Sequence, residues 1–265
     1  MSHTSSSHGT AVVTGASAGI GAIYADRLAK RGYDLLLVAR DTARLDAVAE
    51  RIRDESARQV ETIGAHLTVK ADVQRLEQRL QSNDRITLLV NNAGVGATKP
   101  LVDSDVNSLD AMIQLNITSL TRLTRAVAPR FAARGHGAII NFASIVALAP
   151  ELLNGTYAGS KAFVLSFTQS LNHELGPKGV QVQAVLPGAT GTNFWNTAGL
   201  PVTHLPSEIV MDAEEIDAAL VGFDRRELVT IPSLPDAEEW DCLDAARRAL
   251  GPKLSLAHAA ARYSA

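Results

Sequence analysis

What most constrains this chain is the order of its apolar runs: short β-branched stretches alternate with helix-length stretches, and the first exchange passes through a glycine-rich turn. Ala11–Thr14 reads as a strand, Gly19 to about Arg31 as a helix, and Leu35–Val38 as the next strand. The rhythm continues with a helix over Asp41–Ser56, a strand over Val60–Ala65, a helix near Ala71–Gln81 and a strand over Ile86–Val90. A long helix from about Asp105 to Arg134, a strand over Ala138–Phe142, a helix over Thr156–Leu175 and a strand over Val180–Leu186 complete it. Strands apolar along their whole length, separated by helices, predict a parallel sheet buried on both faces. The expected class is α/β: a single-domain, doubly wound parallel sheet with helices on both faces, spanning residues 10–265 of the 265.

The remainder is less regular. Pro187, Pro201, Pro206, Pro232 and Pro235 punctuate it, so about 188–210 reads as a loop containing a short helical piece. Asp212 with Glu215 has the spacing of a capping box before a helix to about Phe223. Glu227–Ile231 reads as a last strand, and a helical tail over about 236–265 includes a helix at Trp240–Leu250. Residues 1–9, rich in Ser and His, read as a disordered lead-in whose His3 and His8 belong to an exposed polar tail rather than a metal site. No apolar run reaches the roughly 20 residues of a membrane span, and the start is not patterned as a signal peptide, so the expectation is a cytoplasmic protein without a membrane partner. A formal charge of −3 disfavours nucleic acid as a partner. The single cysteine, Cys242, excludes an internal disulfide framework and a cysteine-rich metal site; no metal is expected.

Chemistry enters at Thr14-Gly15-Ala16-Ser17-Ala18-Gly19-Ile20-Gly21. Glycines after a strand let the backbone turn tightly, and the helix that follows offers unpaired N–H groups and a positive dipole end to a pyrophosphate. The Gly-x-x-x-Gly-x-Gly spacing, followed by Asn91-Asn92-Ala93-Gly94 after the fourth strand, Ser144 after the fifth, Tyr157-x-x-x-Lys161 and Pro187-Gly188 after the sixth, resembles the short-chain dehydrogenase/reductase family over about Thr10 to Thr192. The resemblance implies a Rossmann-like fold and a nicotinamide cofactor bound by Gly15, Ser17, Gly19, Ile20, Gly21, Asn91, Ala93, Gly94, Pro187, Gly188 and Thr192, with Thr190 a near neighbour of the last. It also implies a homodimer or homotetramer through the helices bearing Asn116 and Tyr157.

Tyr157 and Lys161 lie four apart on one helical face. A phenol with an ordinary pKa of about 10 needs positive charge nearby to shuttle protons, and Lys161 can supply it. Tyr157 is thus the expected general acid/base between carbonyl and alcohol. The resemblance gives Ser144 the substrate oxygen to hold, and Asn116 a backbone carbonyl that links the lysine to solvent through water. Both Tyr157 and Lys161 are also expected to touch the cofactor.

The acidic residue that NAD-preferring members carry after the second strand is replaced by Ala39, and Arg40 follows, suited to a 2′-phosphate. NADP(H) is expected, with NAD as the alternative; Asp41 could equally cap the next helix. The family's adenine-binding Asp position falls near His66-Leu67, leaving Asp72 in the first turn of the following helix, so His66 or backbone alone holds the adenine. Leu148, Leu152, Leu153, Phe194, Trp195, Leu200 and Val202 suggest an apolar pocket. The combined expectation is an NADP(H)-dependent carbonyl reductase with a small-molecule carbonyl or alcohol substrate. Its alternatives are an NAD-dependent alcohol dehydrogenase, an epimerase or dehydratase, and a cofactor sensor without turnover.

Overall fold

A computed structural model describes residues 8–263 and divides the chain into two compact units, one running to Pro232 and one starting at Ser233. The sequence reading had one domain over 10–265 with a tail from about 236, and the boundary falls just ahead of that tail. Most of the expected disordered lead-in lies outside the described residues. His8 and Gly9, its last two, are placed: the His8 carbonyl accepts from Thr87 Oγ1, and the His8 ring stands 5.2 Å from that of Tyr33.

The first unit is built on a sheet of seven parallel strands: β1 (Thr10–Thr14), β2 (Asp34–Ala39), β3 (Val60–Gly64), β4 (Ile86–Asn91), β5 (Gly137–Phe142), β6 (Val180–Val185) and β7 (Val229–Thr230). Their spatial order is β3-β2-β1-β4-β5-β6-β7. Chain direction across the sheet reverses between β1 and β4, which opens a crevice at their C-terminal ends, where open α/β sheets bind ligands.

The helices of this unit are α1 (Gly19–Lys30), α2 (Thr42–Ser56), α3 (Lys70–Ser82), α4 (Val106–Ile113), α5 (Leu120–Arg134), α6 (Gly155–Leu175), α7 (Phe194–Ala198) and α8 (Ala218–Asp224). Alternation along the strands divides the core. Ala11, Val13, Leu35, Leu37, Leu88, Val90 and Ile140 join one apolar cluster with Tyr24 and Leu28 of α1 and Leu45 of α2. Val12, Leu36, Val38, Leu89 and Ile139 join another with Leu76 of α3, Leu123 of α5 and Leu171 of α6. No helix among the described residues is long and apolar enough to cross a membrane.

Two elements depart from their sequence reading. The expected long helix over 105–134 is broken by a π-helical stretch, Gln114–Ser119, between α4 and α5. There the hydroxyls of Ser119 and Thr121 donate to the carbonyls of Leu115 and Ile117 at 2.6 and 2.9 Å, occupying acceptors that the wider turn loosens. The last strand has two residues rather than five, because Arg226 turns in the left-handed region (φ 61°) and the Glu227 carboxylate bonds the Thr230 hydroxyl at 2.8 Å instead of extending. Asp212 does cap a helical turn, but accepts from Glu214 N at 3.0 Å, and that turn is 3₁₀ before it becomes α8.

The second unit contains α9 (Ala237–Leu250), capped by Asp236 and carrying Asp244 between Arg247 and Arg248 at 2.7 and 3.0 Å. None of the residues of α9 is buried.

Candidate active site

Four strand ends converge on the crevice. The turn after β1 is fastened to its neighbours: Gly15 N and Ala16 N donate to the Val38 carbonyl of β2 at 2.8 and 3.3 Å. Thr14 Oγ1 donates to Val90 O of β4 at 3.3 Å and accepts from the backbone N–H groups of Asn92 and Ala93, each at 3.0 Å. Asn92 Nδ2 returns to Thr14 O at 2.9 Å and Gly15 O at 3.3 Å. Thr14 and Asn92 thus clamp the ends of β1 and β4 together, a role the sequence reading missed although it quoted both residues. Its only trace was that each stands at the end of a strand.

Gly15 and Gly19 have φ of 69° and 53°, and a Cβ on Gly21 would overlap the Gly15 carbonyl oxygen. The N-terminus of α1 is left open. Its N-cap, Ala18, makes no side-chain cap, and the first turn holds no acid, so the N–H groups and dipole face the crevice without an internal anion. Ser17 is half-buried beside that opening, while Ile20 packs into the core beneath it. The turn therefore fits a nucleotide pyrophosphate.

Arg40, just past β2, is exposed, and its side chain has no recorded partner among the described residues. Asp41 does not engage it. The Asp41 carboxylate accepts from Arg44 N at 3.1 Å as the N-cap of α2 and pairs with the Arg44 guanidinium at 3.3 Å. Past β3, Asp72 sits in the first turn of α3, as the spacing implies. There the backbone N–H of His66 at 2.8 Å, with Arg75 at 2.9 Å, holds its carboxyl below the usual range. The His66 ring is paired with Thr68 Oγ1 at 2.7 Å.

Asn91 turns its side chain away from the crevice and into the core: Nδ2 donates to Thr124 Oγ1 at 3.0 Å and Asn141 Oδ1 at 2.9 Å, and Asn141 continues to Thr168 on α6 at 3.0 Å. It orders β5 and α6, and only its backbone is left to face a cofactor. Gly94 lies close to the residues expected to be catalytic, since a Cβ there would come 3.2 Å from Asn116 Oδ1 and 3.5 Å from Lys161 Nζ. Ala93 is half-buried against the core, its N–H already given to Thr14.

On α6, the Asn154 cap sets the position of Tyr157. Its Oδ1 accepts from Thr156 N at 2.9 Å, and its Nδ2 donates to Lys99 O at 2.6 Å, tying the helix start to the chain after β4. Tyr157 is 5% exposed; burial pushes its phenol up to about 12, and a Ser144 hydrogen bond pulls the other way. Lys161 is equally enclosed. Burial lowers its ammonium to about 8, and Nζ donates to Phe142 O at 2.8 Å while lying 5.9 Å from the Tyr157 ring centre. Ser144, just past β5, is held loosely, with Oγ 3.4 Å from both Pro187 O and Val146 N.

Asn116, in the π stretch, braces this group with its side chain, which exchanges two bonds with the Val95 backbone (3.0 and 2.9 Å) and donates to Ser160 Oγ at 3.0 Å. Ser160 Oγ in turn donates to Tyr157 O at 2.7 Å.

After β6, Gly188 O accepts from Thr190 Oγ1 at 3.2 Å. A bridge then closes the base of the expected substrate loop, with Gly191 N donating to Met211 O and Met211 N to Ala189 O, each at 2.9 Å. Thr190 is buried and spent on this base, whereas Thr192 is half-buried and faces the glycine turn, a Cβ on Gly19 lying 3.4 Å from it. Of the apolar residues singled out in sequence, Phe194 and Leu153 join the cluster around Tyr157, together with Met112 and Val146, which had not been foreseen. Leu148 and Leu152 stay exposed. Among the described residues no three His, Cys, Asp or Glu side chains group to hold a metal.

The family model described as short chain dehydrogenase matches residues 9–200. A short-chain dehydrogenase from Sphingobium yanoikuyae, solved in complex with NADPH, is 52% identical and superposes with a TM-score of 0.94 over 97% of this chain and 100% of its own. A bulky-bulky ketone specific alcohol dehydrogenase from Comamonas testosteroni is 48% identical with a TM-score of 0.89, over 97% of this chain and 99% of its own. A very-long-chain 3-oxoacyl-CoA reductase from Anas platyrhynchos is 38% identical over 189 residues, which are 69% of this chain but 60% of that relative's length.

Proposed function

This chain belongs to the short chain dehydrogenase family and is an oxidoreductase acting on CH–OH and C=O groups; on that premise we propose that it reduces a ketone bearing two bulky substituents, with NADPH as reductant and Tyr157 as proton donor. The observation that carries this reading is the enclosed grouping of Ser144, Tyr157 and Lys161 at the mouth of a crevice whose far side is an uncapped helix start. The two full-length structural relatives, one holding NADPH and one named for bulky ketones, support it.

The backbone of Gly15, Gly19 and Gly21 with the start of α1 would hold the pyrophosphate, and Ser17 stands beside it. Arg40 would grip the 2′-phosphate, with its guanidinium free to do so. Asn91 and Gly94 backbone, Pro187-Gly188 and Thr192 would line the path to the nicotinamide. When bound, the nicotinamide supplies the hydride that the carbonyl carbon accepts. Ser144 Oγ would donate toward the substrate oxygen in place of its 3.4 Å bond to Pro187 O. As negative charge grows on that oxygen, the Tyr157 hydroxyl gives up its proton. A phenol raised to about 12 stays protonated at neutral pH and yields to a strong base such as an alkoxide, so its resting state suits reduction. Lys161, charged below about pH 8, steadies the phenolate left behind.

The test is turnover of a panel of aryl ketones with NADPH by the wild type and by Tyr157→Phe. Removing the hydroxyl is expected to lower kcat by about 10²–10⁴ while leaving the Kd for NADPH unchanged. Near-normal turnover by the variant would sink the assignment.

A further inference from the structure

We propose that Phe194 is a specificity-determining residue of this site, its ring standing where one substituent of the ketone must pass to reach Tyr157 and discriminating by that substituent's size. The inference rests on the ketone-reductase reading above. The Phe194 ring lies 5.8 Å from the Tyr157 ring, centre to centre, tilted by 45°, and packs into the same apolar cluster. With Tyr157 only 5% exposed, this ring is part of what screens the phenol from water. A ketone whose oxygen reaches the hydroxyl therefore meets it.

Three observations show that the ring is positioned and not merely nearby. First, Gly96 sits directly beneath it: a Cβ there would overlap Cζ and stand 3.1 Å from Cε1, so the absent side chain makes the ring's place. Gly96 does not have a positive φ, so its backbone does not require glycine. Second, the buried Trp195 meets the ring edge-on, 5.6 Å between centres at 89°, and is anchored by Nε1 donating to Thr190 O at 3.0 Å. Third, the backbone of α7 is tied at both ends, Phe194 N to Thr192 Oγ1 at 3.3 Å and Ala198 O to Thr98 Oγ1 at 2.9 Å. With the backbone tied and the indole anchored, the adjustable part is the Phe194 side chain. It is half-buried, and its neighbours Met112 and Leu153 can give way.

The experiment measures kcat/KM with NADPH for acetophenone and for a diaryl ketone. The proteins are the full-length wild type, Phe194→Ala, Gly96→Ala and the double variant, each with its Kd for NADPH. Phe194→Ala is expected to raise the diaryl-to-methyl ratio of kcat/KM by about tenfold or more, the scale on which apolar pockets discriminate. Gly96→Ala, whose methyl would displace the ring from its place beside Tyr157, is expected to lower kcat/KM for both ketones about tenfold, with the loss largely restored in the double variant and nucleotide affinity unchanged throughout. A ratio unchanged in Phe194→Ala, or a Gly96→Ala loss that the second substitution does not restore, overturns the role of Phe194 while leaving the ketone-reductase reading intact. A wild type that reduces no ketone overturns both.

Discussion

Two loops leave the C-terminal end of the same sheet and face the same crevice, yet they present different groups to it. The turn after β1 is fastened by backbone hydrogen bonds to β2 and by the Thr14 and Asn92 clamp to β4, and what it presents is backbone N–H. The segment after β6 is held by the Pro187 carbonyl accepting from Ile145 N, by the bridge to Met211, and by the side chains of Trp195 against Thr190 and Thr98 against Ala198, and what it presents is a ring. A loop that works through its backbone shows itself locally in its glycines, although the clamp that fastens it joins Thr14 to the distant Asn92. A loop that works through side chains depends on partners far along the chain, here as distant as Thr98 and Ala198.

The comparison breaks most visibly at Gly21. In Gly21→Ala the added methyl overlaps the Gly15 carbonyl, so the turn itself must move, and nucleotide affinity is expected to fall about 100-fold or more, of the order of 3 kcal/mol. Fluorescence titration with NADPH checks this. Phe194→Ala, in the other loop, should leave that titration unchanged. If both variants lose affinity alike, the two loops are one unit and the distinction fails.

Titration of the groups between the loops is the next largest effect. Lys161 is held near 8 in the fold against 10.5 in an open chain, so between those values the unfolded state binds more protons and stability rises with pH. Tyr157, pushed up to about 12 from 10.0, keeps its proton folded after the unfolded phenol has lost it, so stability falls from about pH 10 upward. The buried Tyr24 and the half-buried Tyr33 act in the same direction. Urea unfolding of the nucleotide-free protein should show a gain of about 2 kcal/mol between pH 7 and 9.5, at 1.36 kcal/mol per unit, that Lys161→Met lacks. An equal gain in the variant would place the titrating group elsewhere.

The smallest effect sharpens the backbone loop's partner. Arg40→Ala is expected to weaken NADPH about 10- to 30-fold, near 1.4–2 kcal/mol, and to leave NADH unchanged, because only the 2′-phosphate meets the guanidinium. Equal weakening of both nucleotides in a parallel titration would mean that Arg40 supports the fold of the turn rather than reading the phosphate.

Legibility follows the same division. The strands, the glycine turn and the Tyr157–Lys161 spacing were readable because a parallel sheet imposes apolar runs and a helix puts residues four apart on one face. Asp41 as a cap and Asp72 in a first turn were readable for a similar reason, since capping is local. The π stretch at Gln114–Ser119 was not, because it is braced by Asn116 side-chain bonds to Val95 and Ser160 that no local pattern announces. That Asn91 helps order the strand leading to Ser144 was expected from the resemblance, and its bond to Asn141 of β5 fits that, but its bond to Thr124 on α5 was not legible. Gly96 was not singled out in the sequence, and only the Phe194 ring against it shows what its missing side chain is for.

The sequence by itself determined the doubly wound sheet and the end of it at which ligands gather, because these follow from periodicity and strand order, while the Ser144, Tyr157 and Lys161 assignment came from the family resemblance. Tertiary structure alone decided that Tyr157 and Lys161 are shut from water, with their proton affinities moved in opposite directions, and that the Phe194 ring packs beside Tyr157. The reason is physical: burial is a property of everything packed around a group, and it penalises whichever form carries charge, so the neutral phenol and the neutral amine are both favoured by surroundings assembled from β5, α6 and the loop after β6.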